Sequence, residues 1–236
     1  MAQKKLQRFE AIKSFPNVLQ YPDGIAGRWN ELFKNEHPIT LELACGKGEY
    51  TVGLSILYPD RNFIGVDLKG NRIYVGARKC LDSAISNALF LRTEIEQVDR
   101  YFQSNEVDEI WITFPDPQLR VSRAKKRLTH PRFLRLYHKF LRPEGRIHLK
   151  TDSPVLYAFT RRVIDLYGMN LLEYNEDLHS GLPISPELRI QTYYESLDIA
   201  ESKKVYYLAF SIPMEILPGN DQHLQELTRT YEESPS

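Results

Sequence analysis

An apolar run ends in Leu41-Glu42-Leu43-Ala44-Cys45-Gly46-Lys47-Gly48, and a second ends 19 residues beyond Gly48 in Asp67. Glycines let a backbone turn sharply and approach a bound group closely. An acid at the end of the next strand is placed to hold a ribose diol through two charge-assisted hydrogen bonds. The third glycine of a dinucleotide-binding G-x-G-x-x-G is missing, because Thr51 stands there, and no G-x-x-x-x-G-K-[ST] phosphate loop occurs. Glu42 lies inside the strand just ahead of the turn. A carboxylate there would repel a pyrophosphate but suits the sulfonium and ammonium of S-adenosylmethionine. Glu94, after a third apolar run, is placed to reach an adenine. Each acid alone reads more often as a solvated strand end; three at successive strand ends beside a glycine turn read as a nucleoside cofactor site.

A fourth apolar run closes in Trp111-Ile112-Thr113-Phe114-Pro115-Asp116-Pro117. Prolines on both sides of Asp116 fix the backbone, so the turn either merely caps a strand or presents Asp116 at its mouth. Just beyond it, Arg120, Arg123, Lys125, Lys126 and Arg127 fall within eight residues without neighbouring acids. Such a cluster suits a phosphate backbone, whose binding depends on local Lys and Arg. The chain as a whole carries 31 basic and 31 acidic residues, which argues against general adhesion to nucleic acid. His130, His138, His148 and His179 lack metal-ligand spacing, and two cysteines are too few for a disulfide framework or a thiolate zinc site. No metal is expected.

The elements that must position these residues follow from the pattern of apolar runs. Runs at 39–44, 62–67, 87–92, 107–114 and 145–151 read as strands, with helical stretches at 50–57, 71–81 and 131–141. That alternation predicts an α/β fold with a mostly parallel sheet and helices on both faces. Ser153-Pro154 opens a further helix expected to stop at Gly168, and 169–174 and 205–212 complete seven strands. The stretch 175–195 is loop-rich, and loops of that length inside a compact domain are usually functional or disordered. Residues 1–28 and 214–236 read as extensions around a domain at 29–213. Lys4, Lys5, Arg8 and Lys13 belong to a solvated tail, and Leu224, Leu227 and Tyr231 to one face of a terminal helix. With 42% hydrophobic residues the chain can bury a core. The lack of a leader-like or spanning apolar segment points to a reduced, cytoplasmic setting.

Taken in order and with their spacing, the glycine turn, Phe114-Pro115-Asp116-Pro117, Lys126-Arg127-Leu128-Thr129, Leu149-Lys150-Thr151-Asp152 and Thr192-Tyr193-Tyr194-Glu195 resemble the bacterial tRNA (guanine-N7)-methyltransferases, the TrmB family. The likeness spans about residues 29–210. It implies a Rossmann-like class I S-adenosylmethionine-dependent methyltransferase fold, acting on a guanosine of tRNA as a monomer or homodimer. It further implies that Glu42, Asp67, Glu94 and Asp116 line the cofactor pocket. Asp116, Asp152 and Thr192, Tyr193, Tyr194 and Glu195 would address the guanosine, and Arg120 falls where the family has a substrate-binding lysine. Two departures stand out. Ala44 replaces a usual glycine, which costs nothing if φ there is negative. Gln118-Leu119-Arg120-Val121-Ser122-Arg123 replaces a Trp-Pro-Lys-Lys-Arg-His run. Two rival readings remain: a methyltransferase with another substrate, which leaves the basic segment unexplained, and an inactive RNA-binding module, which leaves the retained acids unexplained.

Overall fold

The computed structural model describes residues 2–197, 204–213 and 218–233. Eight strands form one sheet: β1 (Val18–Gln20), β2 (Ile39–Leu43), β3 (Asn62–Asp67), β4 (Ala88–Arg92), β5 (Val107–Thr113), β6 (Leu141–Thr151), β7 (Asn170–Asn175) and β8 (Tyr206–Ser211). Their spatial order is β1-β4-β3-β2-β5-β6-β8-β7. All pairings from β1 to β6 are parallel, and β8 runs antiparallel to both β6 and β7. The sheet is therefore eight-stranded, not seven-stranded. The additional strand, β1, pairs with β4 and lies inside the segment 1–28, so the folded unit begins ahead of Trp29.

Eight helices accompany the sheet: α1 (Ala2–Ala11), α2 (Trp29–Phe33), α3 (Glu49–Leu57), α4 (Gly70–Asp82), α5 (Pro131–Tyr137), α6 (Pro154–Leu166), α7 (Tyr193–Leu197) and α8 (Asp221–Glu233). Every residue of β2 and β3 is buried, as expected of parallel strands covered on both faces. On one face Leu41, Ile64, Ile110 and Leu149 meet Trp29, Phe133, Leu134 and Phe159 from α2, α5 and α6. On the other, α3 and α4 pack Val52, Ile73 and Ala77 around Phe90, while Leu178 and Leu188 join Tyr50, Trp111 and Tyr207. The α6 start is as the sequence dictates: Ser153 Oγ accepts from Leu156 N at 3.2 Å, with Pro154 at the first helical position. Its end is a Schellman turn at Gly168 (φ +62°), where Met169 N donates to Ile164 O at 2.9 Å.

Two expectations shift and one holds. The first residues are no solvated tail: α1 docks on α4, with Ile12 fully buried and Phe9 facing Gly70. Helix α5 stops at Tyr137 rather than 141, because Leu141 already enters β6 and Pro143 disfavours helix in the residue before it. The terminal helix does bury Leu224, anchored by Arg135, which donates to Asp221 at 2.6 and 2.9 Å; the Tyr231 side chain lies outside the described residues. Arg135 and Tyr167 hold the Asp221 carboxyl below its usual pKa despite partial burial.

Candidate active site

The strand order reverses between β2 and β5, and ligands of open α/β sheets bind beyond the carboxyl ends of strands at such a point. The loops leaving β2 and β5 there carry 44–48 and 114–118. In the first, Ala44, Gly46 and Gly48 all take left-handed backbone, with φ of 57°, 58° and 72°. Gly48 is required twice over, because a Cβ on it would lie 2.6 Å from the Phe90 ring. Ala44 has no such licence. A left-handed residue with a Cβ costs roughly 1–2 kcal/mol, so the alanine strains the turn.

The turn is braced from β3. Asp67 Oδ2 accepts from Gly46 N at 2.9 Å and Oδ1 from Lys69 N at 2.7 Å. A carboxylate offers roughly four acceptor positions, so capacity for a diol remains. Glu42 is buried beneath the turn. Its Oε2 accepts from Thr51 N at 2.7 Å and from the Thr51 hydroxyl, and its Oε1 from Thr113 Oγ1 at 2.9 Å. Thr51, occupying the missing third-glycine position, is thus the residue that ties β2 to α3. Burial pushes the Glu42 pKa up to about 7, against the pull of these hydrogen bonds. Glu94 is half-buried just past β4, and the neighbouring Thr93 N donates to Asp67 O at 3.2 Å. Acids therefore line the carboxyl ends of β2, β3 and β4 around a turn of small residues. This set fits a ligand with a diol, an adenine and cationic groups.

Beyond β5 the backbone is strained again: Phe114 and Gln118 have φ of 45° and 49°, an uncommon state for side-chain-bearing residues that gathers at functional sites. Between them Asp116 is exposed. Its Oδ1 accepts from Gln118 N at 3.0 Å, and Oδ2 has no partner among the described residues. Asp152 follows β6 on the same edge, half-buried. The loop-rich segment returns over the turn. The Tyr194 ring edge would lie 4.0 Å from a Cβ placed on Gly46, and Lys47 Nζ sits 3.1 Å from the centroid of the exposed Tyr193 ring.

The basic cluster divides. Arg123, Lys125 and Lys126 are exposed on the 3-10 segment Val121–Lys126, and Arg120 is exposed at its N-cap. Arg127 is not a phosphate ligand. It is 0% exposed, donates to Pro117 O and Gln118 O at 3.1 Å each, and lies 4.6 Å over the Phe159 ring. It fastens the far side of the Asp116 loop. A cavity of about 760 Å³ separates Ser122, Lys125 and His130 from Gln225 and Arg229 of α8; none of the site acids lines it.

Thr192 and Glu195 are also placed differently from a pair of open guanosine ligands. Thr192 is buried, and the Glu195 side chain, 5% exposed, pairs with Lys150 at 2.9 Å. Sequence reasoning missed Lys150, although Thr-x-x-Glu is itself the pattern of a helix-opening capping box. Two of the histidines have structural roles: His148 Nε2 lies 2.8 Å from Glu109 Oε1 and its Nδ1 2.8 Å from Tyr207 Oη, and His130 caps α5. Among the described residues no group of three or more His, Cys, Asp or Glu could hold a metal ion, and no helix is long and apolar enough to cross a membrane.

The sheet order, the glycine turn and the acids at successive strand ends define a class I S-adenosylmethionine-dependent methyltransferase. A family model described as “Putative methyltransferase” matches residues 36–208. The aminoglycoside resistance methyltransferase NpmB1 has the same fold, with a TM-score of 0.55 at 18% identity, covering 78% of this chain and 92% of that one. A tRNA (guanine-N(7)-)-methyltransferase of Porphyromonas gingivalis is 46% identical over 213 residues, 85% of this chain and 86% of the relative. One of Bacteroides thetaiotaomicron is 43% identical over 224 residues, 91% and 88%. The chain belongs to the tRNA (guanine-N(7)-)-methyltransferase family.

Proposed function

We propose that this chain transfers the methyl group of S-adenosylmethionine to N7 of a guanosine in the variable loop of tRNA, forming 7-methylguanosine. The observation that carries the proposal is one carboxyl edge holding Glu42, Asp67, Glu94 and Asp116 around the glycine turn, with four exposed cations beside it, in a chain 46% identical to a tRNA (guanine-N(7)-)-methyltransferase. When bound, S-adenosylmethionine supplies an activated methyl carbon on a sulfonium. Asp67 holds the ribose and Glu94 the adenine, Glu42 sets a negative charge beneath the cationic end, and Gly46 and Gly48 clear the approach.

Guanine N7 carries a lone pair and no proton, so no residue need act as a general base. The task left to the protein is alignment, which supplies up to about 7–11 kcal/mol in well-fitted systems. Methylation leaves positive charge on the imidazole ring of guanine, and the free oxygen of Asp116 is the group placed to stabilise it. Tyr193, beside Lys47 at the mouth, offers a face on which the base stacks. Arg120, Arg123, Lys125 and Lys126 take neighbouring phosphates, and Asp152 closes the site from β6. Such a chain works in the cytoplasm, on folded tRNA.

The test is chemical mapping. Unmodified tRNA is incubated with the protein and cofactor, reduced with borohydride and treated with aniline, which cuts at 7-methylguanosine. A single cut in the variable loop is expected; cuts elsewhere, or none, overturn the proposal.

A further inference from the structure

Lys150, the penultimate residue of β6, has no exposed surface. A lysine is costly inside a sheet covered on both faces unless its charge is fully met. An ammonium has three donors, and all three are used: on Leu188 O at 3.0 Å, Ile190 O at 2.9 Å and Glu195 Oε2 at 2.9 Å. None of these acceptors belongs to the sheet. All lie on the segment 188–195 that crosses above the cofactor turn. Burial lowers the Lys150 pKa and Glu195 opposes that shift.

Glu195 passes the constraint on. Its amide donates to Thr192 Oγ1 at 3.1 Å, and Thr192 N donates back to Glu195 Oε2 at 3.4 Å, a reciprocal capping box that opens α7. Tyr193 and Tyr194 are the residues between. The box thereby sets where Tyr194 meets Gly46 and where Tyr193 meets Lys47. The other carboxylate oxygen, Oε1, faces the exposed His179 at 3.5 Å, on the open side.

We propose that Lys150 is a positioning residue for methyl transfer, fixing segment 188–195 over the glycine turn through Glu195 and its Thr192 cap so that Tyr193 and Tyr194 meet the guanosine in one geometry. The inference rests on the function proposed above. It assigns the two oxygens of Glu195 different work: Oε2 is held by the lysine and the Thr192 amide, and Oε1 faces His179.

Lys150→Met keeps the length of the side chain and removes its charge. Single-turnover transfer at saturating tRNA should fall on the order of 100-fold, the loss that a misplacement of about 1 Å causes. Affinity for S-adenosylmethionine should hold within about twofold, within the scatter of an independent site. A lysine acting independently of Glu195 would give the same factor in either background, so the deciding readout is a double-mutant cycle. In Glu195→Gln, adding Lys150→Met should cost less than about threefold more; a full, multiplying loss overturns the proposal. Hydrogen exchange on the unaltered protein, without RNA, keeps the clamp testable if Lys150→Met does not fold. The Glu195 and Ser196 amides, bonded to Thr192, should be protected; exchange at the rate of an open loop overturns it. Protection in a protein that does not methylate tRNA would instead refute the function while leaving the clamp standing.

Discussion

Arg127→Met separates two readings of the basic segment. In the structure the guanidinium is buried, with charge-assisted bonds to Pro117 O and Gln118 O and the Phe159 ring beneath it. Hydrogen bonds to a charged group contribute about 1.5–3 kcal/mol, and a buried carbonyl left unmet costs about 1–3 kcal/mol. Methionine refills most of the volume, and the losses overlap, so the net destabilisation is on the order of 3 kcal/mol. For a domain of this size each kcal/mol moves Tm by about 2–4 °C, which gives a fall of roughly 6–12 °C. The Asp116 loop also loses its fastening, so turnover should drop. The salt dependence of tRNA binding should not change, because Arg127 faces no solvent. Lys125→Ala with Lys126→Ala should do the reverse: Tm nearly constant, and the slope of log affinity against log salt flatter by about 1.4–1.8, for two phosphate contacts. Melting curves and salt titrations on both variants decide. A flatter slope in Arg127→Met with an unchanged Tm would refute the reasoning.

Ala44→Gly should raise Tm by about 1–3 °C. Relief of a left-handed alanine outweighs the added freedom of the unfolded chain and the loss of one half-buried methyl, and a lower Tm would contradict the assigned strain. The Glu42 pKa of about 7 links cofactor affinity to pH. The ionised form favours a cation, so log Kd should fall with pH at a slope approaching −1 below pH 7 and flatten above it. A Glu42→Gln variant should lack that slope, and calorimetry across pH 5.5–8 on both proteins checks this. Stability of the cofactor-free protein runs the other way: the raised folded pKa favours the folded state at low pH, and that contribution is lost as pH rises from about 4.5 through 7. Asp116→Asn keeps the Gln118 contact but removes the charge, so kcat should fall far more than tRNA KM or cofactor Kd change. Near-normal single-turnover rates would remove Asp116 from the chemistry.

The sheet was legible because strands buried on both faces read as apolar runs and the helices between them carry distinct caps. Strand β1 was not, because three residues, Val18-Leu19-Gln20, leave no period, and only the open edge of β4 makes them a strand. The docking of α1 was hidden because it rests on Phe9 in a mostly polar helix and on Ile12 in the turn that follows it. Glu42, Asp67, Glu94 and Asp116 were legible as acids closing apolar runs. What sequence could not give was direction. Arg127 reads like its exposed neighbours until the fold turns it beneath the Asp116 loop. Lys150 alternates with Leu149 and so reads as the wet face of a strand, but this sheet has no wet face there, since segment 188–195 covers it. The Thr192-x-x-Glu195 spacing carried the missing signal, masked by a functional reading of the same residues.

The central claim is transfer of a methyl group to guanine N7 of tRNA at the edge formed by β2 to β6, and nucleoside mass spectrometry tests it most directly. Unmodified tRNA is incubated with the protein and S-adenosylmethionine carrying a deuterated methyl group, then digested to nucleosides. The account predicts one labelled product, 7-methylguanosine, formed by the unaltered protein and nearly absent with Asp116→Asn. Label on another nucleoside, or no label in tRNA from a folded protein that binds the cofactor, would contradict it.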